Sequence, residues 1–310
     1  MSSLVVSVSP HYHGRNTTPR IMLDVIIALM PALVASLLIF GFRSLLLVAL
    51  SAANCVFLEW AWNKLMKKTQ TIGDLSAVVT GILLAYNVPV SMPCWKLMVG
   101  DFIAIIIVKM LFGGLGCNFV NPALVGRVAL MQSFAINMSS YSAEVAKVDM
   151  LSSATPLAVI NQLNLSDFLT LFLGQHGGVL GETCALALLM GGAYLLVRGV
   201  IKPTIPVFYL LGTFTFTFLF NGFNAQAAFL SLFSGGLMLG AIFMATDYVT
   251  SPLTDDGRMI FALGCAFITS AIRVFGSLAE GTSFAILLMN LLVPYINGWT
   301  MTKPMGGTNE

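Results

Sequence analysis

IMLDVIIALMPALVASLLIFGFRSLLLVALSAANCVFLEWAW, residues 21–62, is two apolar runs separated by a Gly-Phe-Arg break. Each run is close to the roughly 20 residues that an α-helix needs to cross a hydrocarbon core. Lipid offers no partner to backbone N–H and C=O groups, so such runs read as transmembrane helices. The rest of the chain has the same character. Of its 310 residues, 57% are hydrophobic and 9% charged, with a mean hydropathy of +0.90. Soluble domains carry roughly 25% charged residues. An all-α integral membrane protein is therefore expected, and a net charge of +2 gives no basis for nucleic-acid binding.

Outward from residues 21–62, the same pattern predicts about ten transmembrane helices: 21–41, 44–62, 75–90, 97–113, 121–138, 184–200, 206–221, 227–245, 259–275 and 282–298. Residues 1–20 form an N-terminal arm without a signal-peptide core. Residues 21–138 make a first membrane half and 184–298 a second, with a tail at 299–310. Between the halves, 139–183 is too polar to cross and is expected to hold interfacial helices. Five spans per half would force the second half to enter from the opposite side, as in the inverted repeats of channels and secondary transporters. The repeat rests on this count. The echo of Asn121-Pro122 through Gly126-Arg127 in Ser251-Pro252 through Gly257-Arg258 does not fall at equivalent helices. Alternate crossings collect Arg15, Arg20, Lys64, Lys67, Lys68, Arg198, Lys202, Arg258 and Lys303 on one face. By the positive-inside rule that face is cytoplasmic, with both termini, and Thr183 lies near the outer face.

Several spans are interrupted, by Gly113-Gly114-Leu115-Gly116, by Gly235-Gly236 and by prolines at 89, 122, 252 and 294. Irregular backbone at membrane depth is tolerated only where protein or a cavity covers it, so these breaks mark an interior site for a permeant or a cofactor. Ionisable residues within or near the spans are Asp24, Glu59, Asp101, Lys109, Arg127, Asp247, Arg273 and Glu280. Asp24 reads as a helix-start cap and Arg127 as a side chain snorkelling to the interface. Asp101 and Lys109, two turns apart, share a face and read either as a fixed pair or as part of a path. Asp247 stands among Thr246, Tyr248, Thr250 and Ser251, which would suit an ion path or a helix end. Asp247 and Asp101 are the ion-path candidates. The five cysteines are far apart, with no His at ligand spacing, so no metal site is expected from this chain alone. Cys117, in a glycine loop, reads as a small buried residue or as a ligand shared with a partner.

The stretch GQHGGVLGETC, residues 174–184, gathers glycines before one hydroxyl, Thr183, and an apolar run follows. Two readings are open. Thr183 is an ordinary N-cap and the glycines a loop, or the glycines let a bulky group approach and the helix start holds a phosphate.

Six blocks in order carry a resemblance: SVSPHYHGRNTTPRIMLDVIIALMPA, LSAVVTGILLAYNVP, VKMLFGGLGCNFVNPALVGR, LGETCALALLMGGAYLL, FMATDYVTSP and EGTSFAILLMNLLVP. On these the chain resembles the RnfD family, membrane flavoprotein subunits of the Rnf complex. It is more distantly similar to the NqrB subunits of the sodium-pumping NADH:quinone oxidoreductase. The resemblance implies FMN joined through its phosphate to Thr183, within a motif matched by Gly181, Glu182 and Thr183 and preceded by Gly178. Relatives carry flanking serines where this chain has Val179 and Cys184. It also implies a second, non-covalent flavin, riboflavin or FMN, for which the stretch around Thr80 and Gly81 is a candidate by polarity. The implied role is a subunit of an ion-translocating ferredoxin:NAD oxidoreductase in a prokaryotic inner membrane. It would relay electrons coupled to Na+ or H+ movement, with no catalytic side chain of its own and no complete activity alone. Implied partners are membrane subunits with an iron–sulfur site, an outer-face flavoprotein subunit, cytoplasmic ferredoxin and NAD modules, and a flavin transferase. No glycine fingerprint for NAD is present, which leaves that site to partners. A flavin-free channel or transporter for a small solute is the alternative that the broken spans allow.

Overall fold

The computed structural model describes residues 17–139, 168–174, 177–276 and 280–301. Most of the N-terminal arm, of the polar middle segment and of the C-terminal tail lies outside the described residues. Every regular element among the described residues is helical. In order they are α1 (Thr18–Phe40), α2 (Phe42–Leu65), α3 (Ser76–Tyr86), α4 (Cys94–Phe102), α5 (Pro122–Ser133), α6 (Ala135–Ser139), α7 (Phe168–Leu173), α8 (Ala185–Val197), α9 (Thr204–Phe220), α10 (Ala225–Phe233), α11 (Leu237–Leu239), α12 (Asp255–Phe275) and α13 (Thr282–Thr300). A 3-10 turn, Ile72–Asp74, precedes α3, and two π-helical segments continue α4 and α11, at Ile103–Met110 and Gly240–Met244.

Each expected span coincides with a helix, yet the helices differ in reach. α1, α2, α12 and α13 are each long and apolar enough to cross a membrane, and α10 with α11 passes the same test as one span bent by 65°. α3, α5 and α8 have 11, 12 and 13 residues. At a rise of 1.5 Å per residue they reach only about 16–20 Å, part of a core about 30 Å thick. Apolar runs therefore located the helices but overstated the length of three of them, because their ends turn inside the protein.

Close packing follows the small residues. A single residue, Gly41, joins α1 to α2 at φ 74° and ψ −168°, a conformation that side chains disfavour. Gly81 of α3 lies against the backbone of α2: a Cβ there would stand 2.7 Å from Ala52 Cα and 2.8 Å from Ser51 O. Ser51 Oγ donates to Gly81 O at 2.9 Å across the same contact. This is how helices approach in lipid, where small residues replace a hydrophobic driving force. α1 and α8, the first helices of the two halves, also pack together, with Gly191 of α8 against Ala28 O.

Charged residues gather at two ends. Asp24 binds Arg198 at 3.1 Å and accepts from the Tyr194 hydroxyl at 2.9 Å, which ties α1 to the end of α8. Asp24 lies inside α1 and caps nothing, contrary to the expectation from its place in the sequence. Asp255 at the start of α12 pairs with Lys202 at 2.8 Å and Arg258 at 2.7 Å. Elsewhere, Arg43 donates to Ser91 O and Met92 O at 3.4 Å, and Lys96 donates to Asn137 Oδ1.

Replacing Gly81 with Leu should separate α2 from α3. The expected result is destabilisation of about 1–3 kcal/mol, the usual scale for overpacking, read as a lower unfolding midpoint in detergent. An unchanged midpoint would mean that this helix contact yields without strain.

Candidate functional site

Helices that stop inside a membrane leave backbone groups without intrahelical partners. α3 ends at Tyr86, α10 at Phe233, and α8, α11 and α13 begin at Ala185, Leu237 and Thr282. The loop before α8 covers the end of α3: Gly181 N donates to Tyr86 O at 2.9 Å and Leu180 N to Val88 O at 3.3 Å. Arg273 of α12 covers the end of α10 by donating to Ser231 O at 2.7 Å and Ser234 O at 3.1 Å. At the break between α10 and α11, Gly236 N donates to Glu280.

Arg127 joins these pieces. Its Nη1 donates to Asn87 Oδ1 at 2.5 Å, just past the end of α3, and lies 2.9 Å from Glu182 Oε1. The second contact is an ion pair without hydrogen-bond direction. Its Nη2 donates to Glu280 Oε2. Arg127 is 4% exposed and Glu182 6%. Arg127 is therefore a buried hub and does not snorkel; with two carboxylates nearby, leaving protein for the interface would abandon both.

Thr183 follows Glu182 directly and is 1% exposed. The N-cap of α8 is Cys184, with no side-chain cap bond, so Thr183 stands one residue outside the helix and does not cap it. Among the described residues its hydroxyl has no hydrogen-bond partner. Buried hydroxyls are nearly always bonded, so this one is exceptional. The glycines nearby serve the chain's own packing. Gly181 lies against the Tyr86 side chain, and Gly174, at φ +86°, backs onto the Thr183 carbonyl. Gly178 is half-buried in the same loop. A free hydroxyl at a helix start suits a phosphate acceptor, whereas its burial means that the loop must move before anything bulky can join it.

A second feature is a cavity of about 100 Å³, open on one side, between α1, α3, α5 and the second π segment. Thr80, Lys109, Asn118, Asn121 and Asp247 line it. Gly81 does not: it faces α2 as described. Lys109 donates to Glu59 Oε2 at 2.8 Å and Ser76 Oγ at 2.6 Å. Asn121 caps α5, accepting from Ala123 N at 3.1 Å. Asp247 follows the π segment in a turn and accepts from Val249 N at 3.2 Å and Thr250 Oγ1 at 3.3 Å. The expected crowd of hydroxyls around it reduces to Thr250, because Thr246 turns back to Ile242 O and Tyr248 is 50% exposed.

Asp101 and Lys109 both face α2, as their spacing predicts, but they do not pair. Asp101 is fully buried and accepts from Ser51 Oγ at 2.6 Å, Asn54 Nδ2 at 2.9 Å and Cys55 Sγ at 3.5 Å. The π segment between the two residues widens the helix and sends Lys109 to Glu59 further along α2. Cys117 is exposed, contrary to the buried reading, because it sits in a loop where Gly113, Gly114 and Gly116 all have positive φ. Among the described residues no three of His, Cys, Asp and Glu are grouped to hold a metal. Sequence reasoning missed Glu280 and Asn87 as partners of Arg127; their only signal was polarity beside a broken span.

Residues 5–306 match the NQR2, RnfD, RnfE family. The chain is 45% identical to the D subunit of the Na(+)-translocating ferredoxin:NAD(+) oxidoreductase complex of Acetobacterium woodii, over 99% of this chain and 96% of that one. It is 38% identical to the D subunit of the proton-translocating ferredoxin:NAD(+) oxidoreductase complex of Clostridium ljungdahlii, over 97% and 96%. With the D subunit of the ion-translocating oxidoreductase complex of Actinobacillus succinogenes it shares 36% identity, over 96% of each. Matched nearly end to end, with the buried hub and the Thr183 loop inside the matched region, this chain belongs to the NQR2, RnfD, RnfE family.

Proposed function

We propose that the chain is the membrane flavoprotein subunit of an ion-translocating ferredoxin:NAD oxidoreductase, with FMN esterified through its phosphate to Thr183. A second flavin, riboflavin or FMN, is assigned to the cavity beside Thr80, Asn118 and Asn121. The observation that carries the reading is the orphaned hydroxyl of Thr183 within Gly181-Glu182-Thr183, in a chain whose relatives are named as D subunits of such complexes. A flavin exchanges one or two electrons and so can stand between iron–sulfur clusters and two-electron carriers. This chain's part is placement. The start of α8 offers N–H groups to a phosphate on Thr183, and Arg127 with Glu182 fixes the loop. Ferredoxin and NAD are assigned to partner subunits, alongside membrane subunits with an iron–sulfur site and an outer-face flavoprotein; a flavin transferase would load Thr183.

The reading includes a bacterial inner membrane, with the end that carries Arg198, Lys202 and Arg258 in the cytoplasm and Thr183 toward the outer side. Cation enrichment at that end supports the orientation. The coupling ion does not follow from family membership, since relatives are named for sodium and for protons.

Thr183→Val keeps the shape and removes the hydroxyl. On a denaturing gel of the purified complex, the flavin fluorescence of this polypeptide should disappear in the Val variant and persist in part in Thr183→Ser. A fluorescent Val band would place the attachment elsewhere. A dark wild-type band from cells that contain the transferase would favour the flavin-free channel.

Of the two ion-path candidates, Asp247 borders the cavity and has one side-chain partner, whereas Asp101 is enclosed by three donors. Asp247→Asn is therefore expected to lower the ion-to-electron ratio more than Asp101→Asn. Sodium uptake and ferredoxin-dependent NAD reduction, measured together in vesicles holding the complex, give that ratio. Equal ratios in both variants and wild type would leave the two carboxylates as structural charges.

A further inference from the structure

The cluster around Arg127 holds more acid than one clamp requires. Glu182 and Glu280 come from different loops, before α8 and before α13, and lean on the same guanidinium. A side chain on Gly236 would strike Oε1 of both, so the two carboxylates meet over that glycine. Glu182 is 6% exposed, and the side chain of Glu280 13%. Two carboxylates in contact, away from water, repel strongly when both are ionised, and one shared proton relieves the repulsion.

The other groups facing the pair can be named. Arg127 reaches it from α5, and Arg273 from α12, close enough to interact electrostatically with both acids. Asn87 approaches from the end of α3, and Gly236 N from the break after α10. Tyr209 of α9 is bonded to Thr269. Two arginines and two carboxylates make the cluster neutral without a proton and singly positive with one. Glu182 adjoins Thr183, so an added negative charge on a group bound there would fall beside this pair. A buried charge without a counter-charge is costly, and a proton on the neighbouring carboxylate offsets it.

We infer that Glu182 and Glu280 form a proton-loading pair, whose one exchangeable proton is bound when a flavin on Thr183 is reduced and released when it is reoxidised. The inference rests on the reading of Thr183 as the flavin acceptor. The balance is simple. An electron arrives from an iron–sulfur partner and stays on the flavin. A proton arrives from water through the more open Glu280 and forms one O–H bond on a carboxylate. When the electron moves to the next carrier, that bond breaks and the proton returns to water. No further reactant is needed.

The test uses the whole complex carrying this chain as wild type, Glu280→Gln or Glu182→Gln. Gel fluorescence first reports covalent flavin; a dark wild-type band overturns the flavin reading and this inference together. With flavin present, redox-difference infrared spectroscopy of the wild type should show a carboxylic-acid C=O band that appears on reduction and shifts in D2O. That band should be lost or shifted in Glu280→Gln. The midpoint potential of the covalent flavin should also depend less on pH in that variant, by up to about one proton per electron, where one pH unit on one proton corresponds to about 1.36 kcal/mol. Glu182→Gln should behave alike if it still carries flavin. Should it lose the flavin because it alters the attachment motif, Glu280→Gln, outside the motif, decides. Should neither variant assemble, the wild-type band decides. A flavin-loaded wild type without that band, or a Glu280→Gln complex with the same band and the same pH slope, overturns the pair while leaving the flavin reading in place.

Discussion

The ion pairs of Arg127 hold the broken helices together. A transmembrane helix normally satisfies its own backbone, and a helix that stops halfway does not. Among the described residues there are three such helices, α3, α5 and α8, and one bent pair, α10 with α11. Arg127 sits where their ends converge. Through Glu182 it holds the loop that covers the end of α3, and through Glu280 it holds the acid that covers the break after α10. Removing one member of a buried ionic group typically costs about 3–5 kcal/mol, because the remaining charge is left without compensation. A loss of that size would be felt in the loop, since Thr183 is the residue next to Glu182.

The two candidate sites differ in kind. The Thr183 loop is closed, fastened by backbone hydrogen bonds to α3 and by a buried charge. The cavity is open, and its polar lining comes from separate segments that each also have a structural task. Asn121 caps a helix, Lys109 neutralises Glu59, and Asp247 stabilises a turn. On the proposed reading, the closed site carries the covalent group and the open one a ligand held by shape and a few polar contacts.

Local features of the sequence carried much of this. Apolar runs located a helix at each expected position because burial in lipid acts on each residue separately, while four of these helices and one bent pair are long and apolar enough to cross a membrane. The ordered blocks led to Thr183, whose neighbours Gly181 and Glu182 prove to be packed and paired. The covering of helix ends was not legible: Asn87-Val88-Pro89 marks the end of α3 locally, but nothing local shows that residues 180 and 181 arrive to bond the carbonyls there. Arg127 was misread for the same reason: its partners lie at positions 87, 182 and 280, and such pairing leaves no local trace. Asp24 looked like a cap because its real partners, Tyr194 and Arg198, come from α8. The π segments had no signature at all, and with them went the true partners of Asp101 and Lys109.

Those widened turns have a consequence for how the chain can change. A π turn is an α-helix that has absorbed one additional residue, with Leu111 N bonded to Ile106 O where α-geometry would use the next carbonyl. Deleting one residue between Ile103 and Val108 would restore an ordinary ladder and leave the hydropathy almost untouched. Because the widened turn is what absorbs the additional residue, the helix on either side would stay close to its place and the change would fall on the side chains of the segment itself. Asp101, before the segment, would keep Ser51 and Asn54, while Lys109, within it, would shift relative to Glu59. Point substitutions in this segment can therefore be mild where a single-codon deletion is not: the register of the helix, more than the identity of its isoleucines, is what the buried charges constrain.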